Sequence, residues 1–229
     1  MSAAKRAAGR AAAEVVEDGM RLGLGTGSTV AFFLDALAER RLDVAGVPTS
    51  EATAARCREL GIRLLDVATT TELDLAVDGA DELDHDLHLI KGGGGALLRE
   101  KVVASLASRF VVIATSDKLV DRLGDAFPLP VEVVPFALGP VRHGLERRGF
   151  EVRTREEAPG TAYTTDNGNF VLDARLPGGI EDPAVMDVEL ALVPGVAEHG
   201  LFVDLATEAL LGSDDGDVLR LELGAGDQR

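Results

Sequence analysis

The chain lacks the residues that several function classes would need. Its 229 residues include one cysteine, Cys57, which excludes an intrachain disulfide and argues against a cysteine-based metal site. It has no apolar run long enough to span a bilayer, so no membrane partner is expected. The first residues, MSAAKRAAGRAAAEVVEDG, lack the apolar core and cleavage pattern of a secretory signal, and the expected location is cytoplasmic. It also lacks a basic stripe. The net charge is −16, with nothing to displace counterions from phosphates, so no nucleic-acid partner is expected. Lysine is scarce: the 23 basic residues comprise 19 arginines and only Lys5, Lys91, Lys101 and Lys118. The acids are spread along the chain, which reads first as a solvated surface. Adaptation to high salt is the alternative, because at 1 M the Debye length falls to about 3 Å and self-repulsion is screened. A melting temperature indifferent to salt would count against it.

What is present is concentrated in one stretch. Residues 73–101 read LDLAVDGADELDHDLHLIKGGGGALLREK. An apolar run ends in a turn holding Asp78 and Asp81, a second short run delivers Lys91 onto four consecutive glycines, and a helical segment carries Glu100. Three acids, one ammonium and a loop without side chains suggest a proton-transfer site around a small polar ligand.

The rest of the chain supplies a frame. A helix over 3–18 precedes a strand at Met20–Leu24, the glycine-rich turn Gly25–Thr29 and a helix from Thr29 to Arg40. A strand near Val44–Val47, a helix over Glu51–Leu60 capped by Ser50 and a strand at Ile62–Leu65 repeat the theme. Strands at Leu73–Val77 and Leu87–Ile90, a helix over Gly95–Ser108 and a strand at Phe110–Ala114 complete a mostly parallel, Rossmann-like α/β sheet. Prolines at 128, 130 and 135 mark a boundary. Strand Val131–Val134, helix Leu138–Arg148, strands Phe150–Arg153 and Asn169–Ala174, helix Pro183–Leu192 and strand Val196–Phe202 follow in the βαββαβ order of ferredoxin-like α+β domains. The expected division is 1–127 plus 203–229 for the first domain and 128–202 for an inserted second one.

Each motif has a plain reading beside a functional one. The turn at Gly23–Thr29 suits a phosphate or sugar oxygens at a helix N-terminus, or is a tight turn with a capping hydroxyl. It is neither a dinucleotide fingerprint nor a P-loop. Asp78 and Asp81 are acceptable turn and capping residues, but Asp78 ends a buried-type strand, at the edge where open parallel sheets place ligands. Four glycines lose much conformational freedom on ordering, which favours a close backbone approach to a ligand over a hinge. Lys91 at their mouth would stabilise an oxyanion. Asp84, Asp86 and His88 would share one face of an extended segment as metal ligands, but no second imidazole joins them and a solvated loop is preferred. Cys57, between Arg56 and Arg58, reads as a structural thiol.

Taken in sequence, GLGTGST at 23–29, VDGADE at 77–82, LIKGGGGALLREK at 89–101, FPLPVEV at 127–133 and TDNGN at 165–169 resemble ribose-5-phosphate isomerase of the A type. The resemblance implies interconversion of D-ribose 5-phosphate and D-ribulose 5-phosphate, with no cofactor and no metal, by a homo-oligomer, dimer or tetramer. It implies that Glu100 is the general base moving a proton between C1 and C2. It further implies that Asp81, with Asp78, handles hydroxyl and carbonyl protons, and that Lys91 with the amides of the glycine loop steadies the enediolate. Substrate contacts would come from Thr26, Gly27, Ser28 and Thr29, from Gly79 and Ala80, from Gly92, Gly93 and Gly94, and from Lys118, with Lys5 helping at the phosphate. Glu100, close to other acids and desolvated, should have a raised pKa. A sugar-phosphate sensor would carry a DNA-binding helix pair and need no Glu100. An amino-sugar-phosphate deaminase would need a histidine among the motif residues. A coenzyme A transferase is argued against by the chain length and the DGAD and KGGGG blocks.

Overall fold

The computed structural model describes residues 2–223. The expected first domain also includes residues 1 and 224–229, which lie outside the described residues. Helix α1 (Ser2–Glu14) leads into β1 (Arg21–Leu24), α2 (Ser28–Arg40), β2 (Ala45–Pro48), α3 (Glu51–Leu60) and β3 (Arg63–Leu64). Strand β4 (Leu75–Asp78), the two-residue strands β5 (Glu82–Leu83) and β6 (Leu89–Ile90), α4 (Leu97–Ser105) and β7 (Phe110–Thr115) follow. The second half contains β8 (Leu129–Val133), α5 (Leu138–Glu146), β9 (Glu151–Thr154), β10 (Glu156–Ala158), β11 (Thr161–Ala162), β12 (Phe170–Arg175) and α6 (Pro183–Ala191). It ends with β13 (Val196–His199), β14 (Leu201–Phe202), β15 (Glu208–Gly212) and β16 (Val218–Glu222).

The main sheet has the order β16-β15-β7-β4-β1-β2-β3, parallel except for β16. Strands β4 and β7 are buried at every residue, as expected of strands covered on both faces. Alanines of α1 and the α2 residues Phe33, Leu34 and Leu37 fill one side of the sheet. The chain moves from β1 outward through β2 and β3, then returns to place β4 on the other side of β1. The loops after β1 and β4 therefore leave the same edge at the point where strand order reverses, the usual ligand crevice of such sheets. The C-terminal segment returns to this sheet, with β15 parallel to β7.

A four-stranded antiparallel sheet, ordered β13-β8-β12-β9, has ferredoxin-like topology. Leu129, Val131, Val133, Leu172 and Ala174 face α5 and α6 in a second apolar core. Alternation along the strands turns Glu132 and Asp173 to the opposite face.

Three expectations need correction. The run Val196–Phe202 is two strands, because Gly200 passes from the four-stranded sheet to a small sheet ordered β14-β6-β5. Its N–H donates to Pro130 O at 2.7 Å and its carbonyl accepts from Lys91 N at 2.8 Å, and a Cβ there would stand 2.2 Å from Lys91 O. Leu87 takes a left-handed φ of 61°, so the strand begins only at Leu89, and β6 joins that small antiparallel sheet instead of the main one. Gly95, with φ at 79°, delays α4 to Leu97.

Candidate active site

Strand β4 ends at Asp78, and its carboxylate organises the crevice. Asp78 Oδ1 accepts the N–H groups of Thr26 (3.0 Å) and Gly79 (2.7 Å), joining the two loops that leave the sheet edge. The fit is close: a Cβ on Gly25 would lie 2.2 Å from Asp78 Oδ1. Asp78 Oδ2 lies 3.1 Å from Lys91 Nζ, which is 3.4 Å from Glu100 Oε2 and also donates to Gly79 O. Asp78, Lys91 and Glu100 are 3%, 2% and 5% exposed, so two carboxylates share one ammonium away from water.

That arrangement sets the protonation states. Burial, followed by the negative charge of Asp78, pushes the Glu100 carboxyl up to about 8, against the pull of Lys91. Burial also raises Asp78, opposed by Lys91 and by the two backbone donors. Burial pulls the Lys91 ammonium down, but Asp78, Glu100 and Asp81 together outweigh it and hold the group above its ordinary value. Lys91 is thus held as the ammonium by its three acidic neighbours, and Glu100 is the carboxyl whose range is moved toward neutrality.

A cavity of about 250 Å³ opens beside this cluster. Lys91, Glu100 and Asp81 line it, with Gly79 and Ala80 from the loop after β4 and Gly92, Gly93 and Gly94 from the glycine loop. Asp81 Oδ2 accepts the Gly93 N–H at 2.7 Å. Thr26, Gly27, Ser28 and Thr29 also line it, as do Lys5 and Lys118. Helix α2 begins at Ser28 with no side-chain cap, so its first N–H groups and dipole are free for an anion. Lys5 Nζ donates to Ser28 Oγ at 2.8 Å, placing a cation at the same helix start.

Two expected ligand contacts are not seen directly. Asp78 is not among the residues lining the cavity: its Oδ1 accepts from Thr26 and Gly79, and its Oδ2 is paired with Lys91. The Thr26 hydroxyl is likewise occupied: it meets Thr49 Oγ1 at 2.7 Å, Ser50 Oγ at 2.8 Å and Thr53 Oγ1 at 3.1 Å. This hydroxyl cluster ties the turn after β1 to the start of α3, where Ser50 is the cap expected from the sequence. The Asp84–His88 segment is a turn: Asp84 Oδ1 accepts from Asp86 N and His88 N, and Asp84 Oδ2 meets His88 Nδ1 at 3.1 Å. Among the described residues no group of three or more side chains could hold a metal ion. Cys57 is buried, and desolvation raises its thiol to about 11.

Several residues that support the site went unseen in the sequence. Ala114 and Thr115, at the end of β7, line the cavity. Glu132, fully buried, accepts hydrogen bonds on Oε1 from Thr165 (2.9 Å), Asn167 (3.0 Å) and Asn169 (2.9 Å), which is why the FPLPVEV and TDNGN blocks occur together. The loop so fixed holds Arg99, next to Glu100 on α4, through Asn167 Oδ1 (2.9 Å) and Asp166 O (3.1 Å). A lone acid in the otherwise apolar run Leu129–Val133 was the available signal.

Comparison with known proteins agrees with this architecture. The family model described as ribose 5-phosphate isomerase A (phosphoriboisomerase A) matches residues 45–216. A ribose-5-phosphate isomerase A of Methylorubrum extorquens is 52% identical over 222 residues, covering 93% of each chain. A D-ribose-5-phosphate isomerase solved in complex with phospho-erythronic acid superposes with a TM-score of 0.91 at 39% identity, covering 95% of this chain and 97% of the other. The ribose 5-phosphate isomerase of Plasmodium falciparum gives 0.92 at 34% identity, covering 97% and 99%.

Proposed function

This chain belongs to the ribose 5-phosphate isomerase A family and is an aldose-ketose isomerase of ribose 5-phosphate and ribulose 5-phosphate; from that premise we propose that Glu100 carries the transferred proton. The observation supporting this assignment is the Lys91 ammonium set between Asp78 and Glu100 at the wall of a cavity that Lys5 and Lys118 also line. The sugar phosphate lies with its phosphate at the start of α2, near Lys5 and Lys118, and its carbonyl end against Lys91 and Glu100. In the open-chain aldose, Glu100 takes the proton from C2 and the C2–H electrons shift onto the C1 carbonyl oxygen, giving an enediolate. Asp81 moves a proton between the two oxygens, and Glu100 returns its proton to C1. Lys91 and the glycine-loop amides hold the developing charge, each such donor contributing about 3–4 kcal/mol. Asp78 positions Lys91 and the two loops. Phospho-erythronic acid, bound by the relative, carries a carboxylate that on this reading stands in for the enediolate oxygens. Purified protein treated with EDTA and mixed with ribose 5-phosphate should form the ketose; absence of turnover would overturn the assignment.

The pH dependence follows from the elevated Glu100. The base form is the carboxylate, so kcat/KM should rise with pH to a plateau above about 8, falling roughly tenfold per unit below it. A profile flat from pH 6 to 9 would remove Glu100 from the base role.

We also propose that the protein acts as a homo-oligomer, with 128–202 as the supporting unit and 1–127 with 203–229 as the catalytic one. Phe136 is 96% exposed, and Leu192, Val188 and Val185 on and after α6 are 77%, 58% and 54% exposed. The Val134 N–H bonds to Gly195 O, so the turn bearing Phe136 adjoins the end of α6. A second copy would cover this apolar surface. Light scattering should give a multiple of the single-chain mass, and Phe136→Asp with Leu192→Asp should reduce it. A monomeric wild type would refute the reading.

A further inference from the structure

The glycine loop has no side chains with which to choose the direction of its own peptide groups, yet its chemistry depends on that direction. With the isomerase reading above as its basis, we propose that Arg155, braced by Asp173, is a positioning residue that aims the loop's amides at the reacting oxygens. Arg155 lies between β9 and β10, outside the cavity. Its Nη1 donates to Gly92 O at 2.7 Å and to Gly93 O at 3.1 Å. Its Nε donates to Asp173 Oδ2 at 3.1 Å, and its Nη2 donates to Asp173 Oδ1. One planar guanidinium thus holds two successive carbonyls and is itself held by a bidentate carboxylate, a geometry lysine cannot reproduce.

The consequence comes from peptide planarity. No peptide bond is cis among the described residues, so each carbonyl points opposite to the N–H of the residue that follows. Gly92 O turned to Arg155 sends the Gly93 N–H the other way, where it meets Asp81 Oδ2 at 2.7 Å. Gly93 O turned to Arg155 sends the Gly94 N–H away from Arg155, and Gly94 is one of the residues lining the cavity. The third carbonyl, Gly94 O, is met by Tyr163 Oη at 3.3 Å. The Tyr163 ring also excludes any Cβ from Gly95, which would stand 2.3 Å from Oη. The Gly92–Gly93 peptide is also held by the Gly95 N–H on Gly92 O at 2.9 Å, so the peptide left to Arg155 is Gly93–Gly94, where glycine's access to both halves of backbone space would let it flip. A flip would present a carbonyl oxygen to the enediolate where a donor is needed. Arg155 and Tyr163 select the productive orientation from behind.

The test separates orientation from folding and from the isomerase reading itself. In Arg155→Met, kcat should fall about 10²–10³-fold, the scale of losing an oxyanion donor, with KM changed less than about threefold. Affinity for phospho-erythronic acid should fall at least about tenfold, while inhibition by inorganic phosphate, which reports the Lys5 end, stays at the wild-type value. Arg155→Lys should behave like Met, and Asp173→Asn should give an intermediate loss that keeps the inference testable if the Met variant fails to fold. Unchanged kcat in a folded Arg155→Met, or equal weakening of both ligands, would overturn the proposal. A wild type inert toward ribose 5-phosphate but binding phospho-erythronic acid in an Arg155-dependent way would overturn the reaction and leave the positioning role standing.

Discussion

Glu100→Gln should lower kcat by about 10²–10⁴-fold with little change in KM, the loss typical of a general base removed without disturbing binding. The same variant should be more stable than the wild type at neutral pH. The folded-state pKa of Glu100, about 8, lies above its ordinary 4.5. Between these values the native protein keeps a proton that the unfolded chain releases, so stability falls as pH rises through that window. Glutamine removes the slope. At about 1.4 kcal/mol per unit, the advantage should be near zero at pH 4.5 and on the order of 3 kcal/mol by pH 7. Urea melts at pH 5 and pH 8 would measure it; a glutamine variant less stable at pH 8 would refute the electrostatic account. A variant that turned over at near wild-type rate would refute the catalytic one.

Lys91→Met should fail on both counts. Turnover should fall by about 10²–10³-fold for want of the cation beside the enediolate. Asp78 and Glu100 would then be buried without their counter-charge, and breaking such an arrangement from one side typically destabilises by about 3–5 kcal/mol. Both carboxyls can escape by holding protons, so the loss should shrink toward pH 5 and grow toward pH 8. Adding Glu100→Gln to Lys91→Met should restore part of the stability and none of the activity, because the three groups act as a unit. If Lys91→Met melted like the wild type at pH 8, the ammonium would not be what makes this burial tolerable.

The site was legible where its parts are adjacent in sequence. Asp78, Asp81, Lys91 and Glu100 fall within one strand–turn–strand–helix passage, and the edge of a parallel sheet brings the ends of β4 and β1 together without further information. What the residue pattern left hidden was orientation. Nothing in the spacing shows that both Asp78 oxygens are held by neighbours, or that the Thr26 hydroxyl turns to Thr49, Ser50 and Thr53 instead of the cavity. The supports were hidden for another reason. Arg155 reaches Gly92 and Arg99 reaches Asn167 across more than 60 residues of chain, and an arginine on a polar segment looks the same whether it braces a loop or meets solvent. The split at Gly200 was invisible because a glycine in an apolar run reads as a bulge until the crowded backbone at Lys91 is seen.

No residue beyond Lys118 lines the cavity among the described residues, yet Arg155, braced by Asp173, and Tyr163 hold the glycine-loop carbonyls, and the loop pinned by Glu132 holds Arg99 beside Glu100. Part of the scaffolding is thus written in a different half of the chain from the cavity lining. Grafting the reactive passage onto another parallel sheet would transfer the ingredients without the bracing that makes them an enzyme. Conversely, changes in the second half can retune the rate while never touching the sugar.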